Sequence, residues 1–292
     1  MPVARLPRAS VHYEVTGEGP PLLCVMGFGA PLEGFNLQAR ALAKHRTVVS
    51  FDNRGAGRSS VPPLPWTIDD LAQDAVDLMD HLELPRADMI GVSMGGMICQ
   101  RIAITRPERV GALVLAATFA HADQALRRRV AKLTALSVTG WARSGFGGRA
   151  VFEKALRAAW ESHVVSDEPL DAEGQAILNR GWDLRTELGS SDLGAVGQLW
   201  ALLTHDAREE LPRIVAPTLV LAGSADALSP LDQGRMLARL IPGARLEIIA
   251  GATHGMNLAN ADIFNASVET FLLRQSPLPR ATPEAKQKDK AS

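Results

Sequence analysis

Two cysteines in 292 residues cannot build a disulfide framework. Cys24 lies in an apolar run and Cys99 in a helical stretch, with no histidine or tight turn beside either, so both are read as buried thiols. Net charge is nearly absent as well. The 31 Lys and Arg against 32 Asp and Glu leave −1, which predicts neither a nucleic-acid groove nor attraction to an anionic membrane. Apolar runs such as "GALVLAATFA" fall short of the roughly 20 residues that span a bilayer. The opening "MPVARLPRASVHYEV" has no apolar signal core, and the expected location is the cytosol. No internal repeat is apparent.

What the chain does have is alternation. "PLLCVMG" (21–27), "RTVVSFD" (46–52), "ADMIGVS" (87–93) and "VGALVLAAT" (110–118) read as apolar strands. Between them, 37–45, 67–82 and 94–107 show helical spacing. Strand and helix in strict turn predict a mostly parallel sheet with helices on both faces. Strands buried in such a sheet are apolar throughout, and these are. From about residue 119 to 210 no strand is legible. "DQALRRRVAKLTAL", "RAVFEKALRAAWESHV" and "LGAVGQLWALLTHD" look helical, with glycine-rich joints between them. The alternation resumes at 217–224, 230–242, 244–251 and 261–273. The expected organisation is an α/β core from 1–118 and 211–275, a helical cap at 119–210, and a disordered polar tail at 276–292.

One short stretch carries chemistry. In "IGVSMGGMICQ" (90–100), Ser93 stands between Gly91 and Gly95 where a strand turns directly into a helix. At so tight a corner the flanking positions approach each other and the next strand, so side chains there would clash. The product is a serine at the carboxyl edge of the sheet and at a helix N-terminus, the Gly-x-Ser-x-Gly nucleophile elbow. Chance supplies that pattern about one time in ten in a chain of this length. The strand before it and the helix after it are what give it weight.

Serine needs a base, and the base needs an orienting acid. Of the seven histidines, His254 in "IIAGATHGMN" follows the last strand and should emerge at the same sheet edge as Ser93. Asp226 in "LVLAGSADALSP" follows the preceding strand and is the expected acid, with Asp123 in reserve. Asp226 could also serve only as a helix N-cap. Two backbone N–H groups are needed for an oxyanion. Met94, directly after the serine, and Phe28, in the loop "MGFGA", are the expected donors.

Taken together, "VMGFG", "FDNRGAGRSS", "GVSMGG", "AGSADALSP" and "GATHGMN" resemble the α/β-hydrolase-fold serine hydrolases across about residues 10–275. The resemblance implies Ser93 as nucleophile, Asp226 as acid and His254 as base. It also implies that Asp52, Arg54 and Gly57 form a structural loop. Relatives commonly carry His-Gly in the oxyanion loop where this chain has Met26-Gly27, which makes the neighbouring pocket more apolar. This variant is similar to that of some methylesterases of polyketide tailoring. A serine at position 93 sets the chain apart from the dehalogenases and epoxide hydrolases of the fold, which use aspartate there.

The expected activity is hydrolysis of a small-molecule ester, thioester or lactone, with no cofactor, no metal, and no nucleic-acid or membrane partner. Met26, Trp141, Trp160, Trp182 and Trp200 are candidates for an apolar substrate pocket, and Phe146 lies among them; packing within the cap is an equal reading of the tryptophans. Alternatives on the same triad are a C–C bond hydrolase or lyase and a cofactor-free perhydrolase. A non-catalytic ligand receptor is the alternative from another class.

Overall fold

The computed structural model describes residues 2–124, 126–128, 192–275 and a few single positions between 172 and 183. Its strands are β1 (Val3–Arg5), β2 (Ser10–Thr16), β3 (Pro21–Val25), β4 (Thr47–Phe51), β5 (Ala87–Val92), β6 (Val110–Ala116), β7 (Thr218–Gly223) and β8 (Arg245–Ile249). They form one sheet in the order β1-β2-β4-β3-β5-β6-β7-β8. From β4 to β8 all pairings are parallel, while β1 and β2 add an antiparallel edge. The expected doubly covered, mostly parallel α/β sheet is therefore present, and the antiparallel edge extends it. The tail at 276–292 and most of the expected cap lie outside the described residues.

Each central strand sends successive side chains to opposite faces, and each face has its own core. Leu23, Val49, Met89, Leu113 and Val220 pack on one side, with residues of α2 (Ile68–His81) and α3 (Met94–Thr105). Their neighbours Leu22, Val48, Ile90, Val114 and Leu219 pack on the other, with Phe35 and Phe264. Two apolar faces explain why the strands read as continuous apolar runs. Cys24 and Cys99 fall in different cores and are free, as read from the sequence. Burial pushes the Cys24 thiol up to about 12 and the Cys99 thiol higher, so neither is a thiolate at neutral pH.

The remaining helices are α1 (Asn36–Leu42), α4 (Asp192–Thr204), α5 (Leu231–Leu240), α6 (Met256–Ala259) and α7 (Ala261–Gln275). Helix α4 belongs by sequence to the inserted block, yet its Ala201 and Leu202 sit in the same core as α2 and α3. Where the sequence showed no strand between 119 and 210, the described part holds a single bridge, His121 to Asp206.

The strand order reverses beside β3. Strand β4 pairs on one side of it and β5 on the other, with Val25 level with Gly91. Diverging connections leave a crevice at the carboxyl ends of such a strand pair, where open α/β sheets take ligands. The loop after β3 and the serine after β5 meet there.

Candidate active site

Ser93 follows β5 and precedes the first residue of α3, with φ 56° and ψ −121°. That left-handed conformation is strained for any residue with a Cβ. The two glycines make it possible. A Cβ on Gly91 would lie 2.5 Å from the Gly95 carbonyl oxygen, and one on Gly95 would lie 1.9 Å from that of Val25. The corner is pinned by backbone bonds, the Ser93 N–H donating to the Ala116 carbonyl at 3.0 Å and the Gly96 N–H to the Ser93 carbonyl at 2.9 Å. The Thr118 hydroxyl donates to that same Ser93 carbonyl at 2.6 Å.

Beyond β7 and β8 the two loops are zipped together. Ser224 N–H bonds Ile249 O at 3.1 Å and Ala225 N–H bonds Ala252 O at 3.0 Å. Asp226 and His254 ride on these loops. His254 Nε2 lies 2.9 Å from Ser93 Oγ, and its Nδ1 lies 2.9 Å and 3.2 Å from the two carboxylate oxygens of Asp226. Serine, imidazole and carboxylate thus stand in line. Asp226 and His254 are buried and Ser93 is half-buried. Asp226 Oδ1 also accepts the Leu228 and Ser229 N–H groups, at 2.9 and 2.8 Å. These bonds hold the carboxylate within its own turn, and the helix-capping reading of Asp226 does not apply, because the N-cap of α5 is Pro230 and no side chain caps it. A carboxylate fixed in this way directs a proton to Nδ1 and leaves Nε2 able to accept the serine proton. Asp123, the reserve acid, is elsewhere: it accepts Leu126 N–H at 2.7 Å and faces Gln233 Nε2 at 3.4 Å.

The expected oxyanion donors flank this line. Met94 is the first residue of α3, where helix N–H groups have no intrahelical acceptor. Phe28 lies in the turn closed by Ala30 N–H to Gly27 O at 3.3 Å. A Cβ on Gly27 would stand 3.0 Å from the Ser93 Cβ, so this loop passes directly against the serine. Met26 is buried, its carbonyl accepting from Asn53 Nδ2 at 2.9 Å. Behind it, Asp52 accepts Leu32 N–H at 2.7 Å and Arg58 N–H at 2.8 Å, and burial raises its carboxyl. Arg54 grips Asp74 through two bonds of 2.5 and 2.6 Å, and burial raises the Asp74 carboxyl against the pull of that guanidinium. The loop read as structural is therefore a buried brace behind the site.

Of the pocket candidates, Trp200 lies on α4 and is 55% exposed. Trp141, Trp160 and Trp182, with Phe146, lie outside the described residues. Sequence reasoning missed Thr118, Ser229 and Gln198. Ser229 Oγ donates to the Thr118 carbonyl at 2.8 Å, which links the acid loop to the residue that holds the Ser93 carbonyl. Thr118 lies two residues past the end of the apolar strand β6, at the carboxyl edge, a position that could have marked it. Among the described residues no cluster of three His, Cys, Asp or Glu is placed to hold a metal, and no helix is long and apolar enough to cross a membrane.

The chain is similar to known proteins of one fold. The family model for the alpha/beta hydrolase fold matches residues 20–146. The 3-oxoadipate enol-lactonase 2 of Acinetobacter baylyi is 28% identical over 277 residues, covering 91% of this chain and 94% of its own. The poly(3-hydroxyalkanoate) depolymerase of Ectopseudomonas oleovorans is 34% identical over 238 residues, covering 78% and 76%. The crystal structure of the enol-lactonase from Burkholderia xenovorans superposes with a TM-score of 0.76 at 29% identity, covering 93% of this chain and 99% of that one. By sheet order, by elbow and by these relatives, the chain belongs to the α/β-hydrolase fold family, among its esterase- and lactonase-like hydrolases.

Proposed function

We propose that this hydrolase is a serine hydrolase that cleaves a carboxylic ester, thioester or lactone through an acyl-enzyme. The observation that carries the reading is the line Ser93–His254–Asp226, with Ser93 held in a strained elbow. His254 takes the Ser93 proton as Oγ attacks the acyl carbon. The developing oxyanion accepts from the N–H groups of Phe28 and Met94. His254, its charge stabilised by Asp226, then protonates the leaving oxygen or sulfur as the acyl–leaving-group bond breaks. In a second half-reaction water attacks the Ser93 ester with His254 as base, and the acid product departs. Met26 stands where relatives commonly carry histidine, and its side chain packs into the core against Gly34. The relatives named as an enol-lactonase and a poly(3-hydroxyalkanoate) depolymerase support this substrate class. The inserted block at 119–210 is proposed to set the choice of acyl chain.

A fluorophosphonate probe is expected to label Ser93, located by peptide mass spectrometry, in an enzyme that turns over a p-nitrophenyl ester. Ser93→Ala should remove both. Labelling at another residue, or ester turnover near wild type in Ser93→Ala, would sink the reading. Ligand binding without turnover in the wild type would favour a receptor.

A further inference from the structure

Gln198 is a wholly buried amide on α4 that no step of the chemistry uses. Both of its polar atoms are engaged, across long stretches of chain. Oε1 accepts the Gly29 N–H at 2.7 Å, and Nε2 donates to the Arg54 carbonyl at 2.7 Å. Gly29 stands next to Phe28 and has φ 65°. The same loop is tied a second time, through the Met26 carbonyl and Asn53 Nδ2. Phe28 thus lies between two tied residues, and both ties lead to the braced stretch at 53–54.

The helix comes close enough for this because two of its residues have no side chain. A Cβ on Gly194 would lie 2.4 Å from the Gly55 carbonyl oxygen, and one on Gly197 would lie 2.4 Å from the Trp66 ring. Arg54, whose carbonyl Gln198 holds, is itself fixed by Asp74 and lies over Trp66 at 5.7 Å. The amide therefore links the braced stretch at 53–54 to the glycine-containing loop that carries Phe28. Without it the buried Arg54 carbonyl and the half-buried Gly29 N–H lose their partners, and the peptide joining Phe28 to Gly29 loses the bond that sets its orientation.

We propose that Gln198 is a positioning residue for the oxyanion loop: it fixes the Phe28–Gly29 peptide and so keeps the Phe28 N–H where the oxyanion forms. The proposal rests on the serine-hydrolase reading above and assigns a residue outside the triad and its donors. Its effect belongs to the transition state, because the ground-state carbonyl needs the hole far less than the oxyanion does.

The test uses the full chain with Gln198→Met, which keeps the length of the side chain and removes both bonds. Competent sites are first counted by end-point titration with a fluorophosphonate. If wild type is neither labelled at Ser93 nor active on p-nitrophenyl acetate, the serine-hydrolase reading itself fails, before any variant is compared. With wild type active, kcat/KM per titrated site should fall about tenfold or more in Gln198→Met, somewhat less than the 10²–10³ for outright loss of a donor. The affinity of a phenylboronic acid, which bonds Ser93 Oγ and places an oxygen in the hole, should fall by the same factor. Affinity for an unreactive amide of the same acyl group should change by less than about threefold. A merely structural role would lower the count of competent sites and leave kcat/KM per site intact, and that result overturns the proposal. If Gln198→Met does not fold, hydrogen exchange in wild type decides. A slowly exchanging Gly29 amide supports the tie, and one exchanging as fast as an open loop amide overturns it.

Discussion

At φ 56° and ψ −121°, Ser93 occupies backbone space that costs a side-chain-bearing residue about 1–3 kcal/mol. Glycine adopts it freely. Ser93→Gly should therefore be inactive yet more stable than Ser93→Ala by about 1 kcal/mol, visible as a higher midpoint in denaturant. Equal midpoints would mean that the corner stores no strain. The acid makes a second test at this scale. Asp226→Asn should keep the fold and lower kcat by about 10⁴, as in the best-studied triad, because an amide no longer selects the Nδ1 proton. Asp123→Asn should stay near wild type, since Asp123 bonds Leu126 and Gln233 rather than the imidazole. The reverse pattern would transfer the acid to Asp123.

Among the elements, the join of β5 to α3 is the least forgiving. Alanine is the better helix former by about 1 kcal/mol, so propensity alone favours Gly95→Ala. The new methyl would stand 1.9 Å from the Val25 carbonyl oxygen, on backbone of the adjoining strand. Net destabilisation of at least about 3 kcal/mol is expected, read from urea unfolding, with loss of ester turnover. A stability within experimental error of wild type would show that α3 can slide away from β3. Of the strands legible in the sequence, β3 to β7 are buried on both faces and so appear as apolar runs, whereas β8 is a partly exposed edge strand, legible from its place in the strand–helix alternation. Strands β1 and β2 were missed because β2 is only partly buried and β1 has three residues, so neither gives such a run. The elbow turn and the loops carrying Asp226 and His254 were legible as tight turns after strands, because such turns demand particular residues. Gln198 was not, since its helix is apolar nearly all round, with Leu193, Val196 and Trp200 exposed, and gives no sign that its amide faces a loop 169 residues away. Its one signal, glycines at 194 and 197 inside a helix, marks a close approach.

The whole molecule responds to pH through a group far from the chemistry. His205 is buried, and desolvation, with Arg101 nearby, lowers its pKa from 6.5 to about 4. The unfolded chain takes up a proton on this histidine near pH 6.5, whereas the folded one resists until about pH 4. Its contribution to stability is thus complete above pH 6.5 and is lost as pH falls towards 4, at a cost of up to about 3 kcal/mol. His205→Gln should flatten the dependence of unfolding free energy on pH across that window. An unchanged slope would place the acid sensitivity in other groups.

Ser93 and His254 are 161 residues apart, and Asp226 also comes late in the chain. A ribosome adding about 5–20 residues per second leaves roughly ten to thirty seconds between the synthesis of the elbow and that of its base. Strands β3, β5 and β6 are complete early in that interval, so the serine can be seated while its hydroxyl is still inert. On the proposed mechanism, reactivity would then arrive at one moment, when β7 and β8 dock and bring Asp226 and His254 to the serine. A nascent chain would thus be unable to attack an ester until its acid and base have arrived.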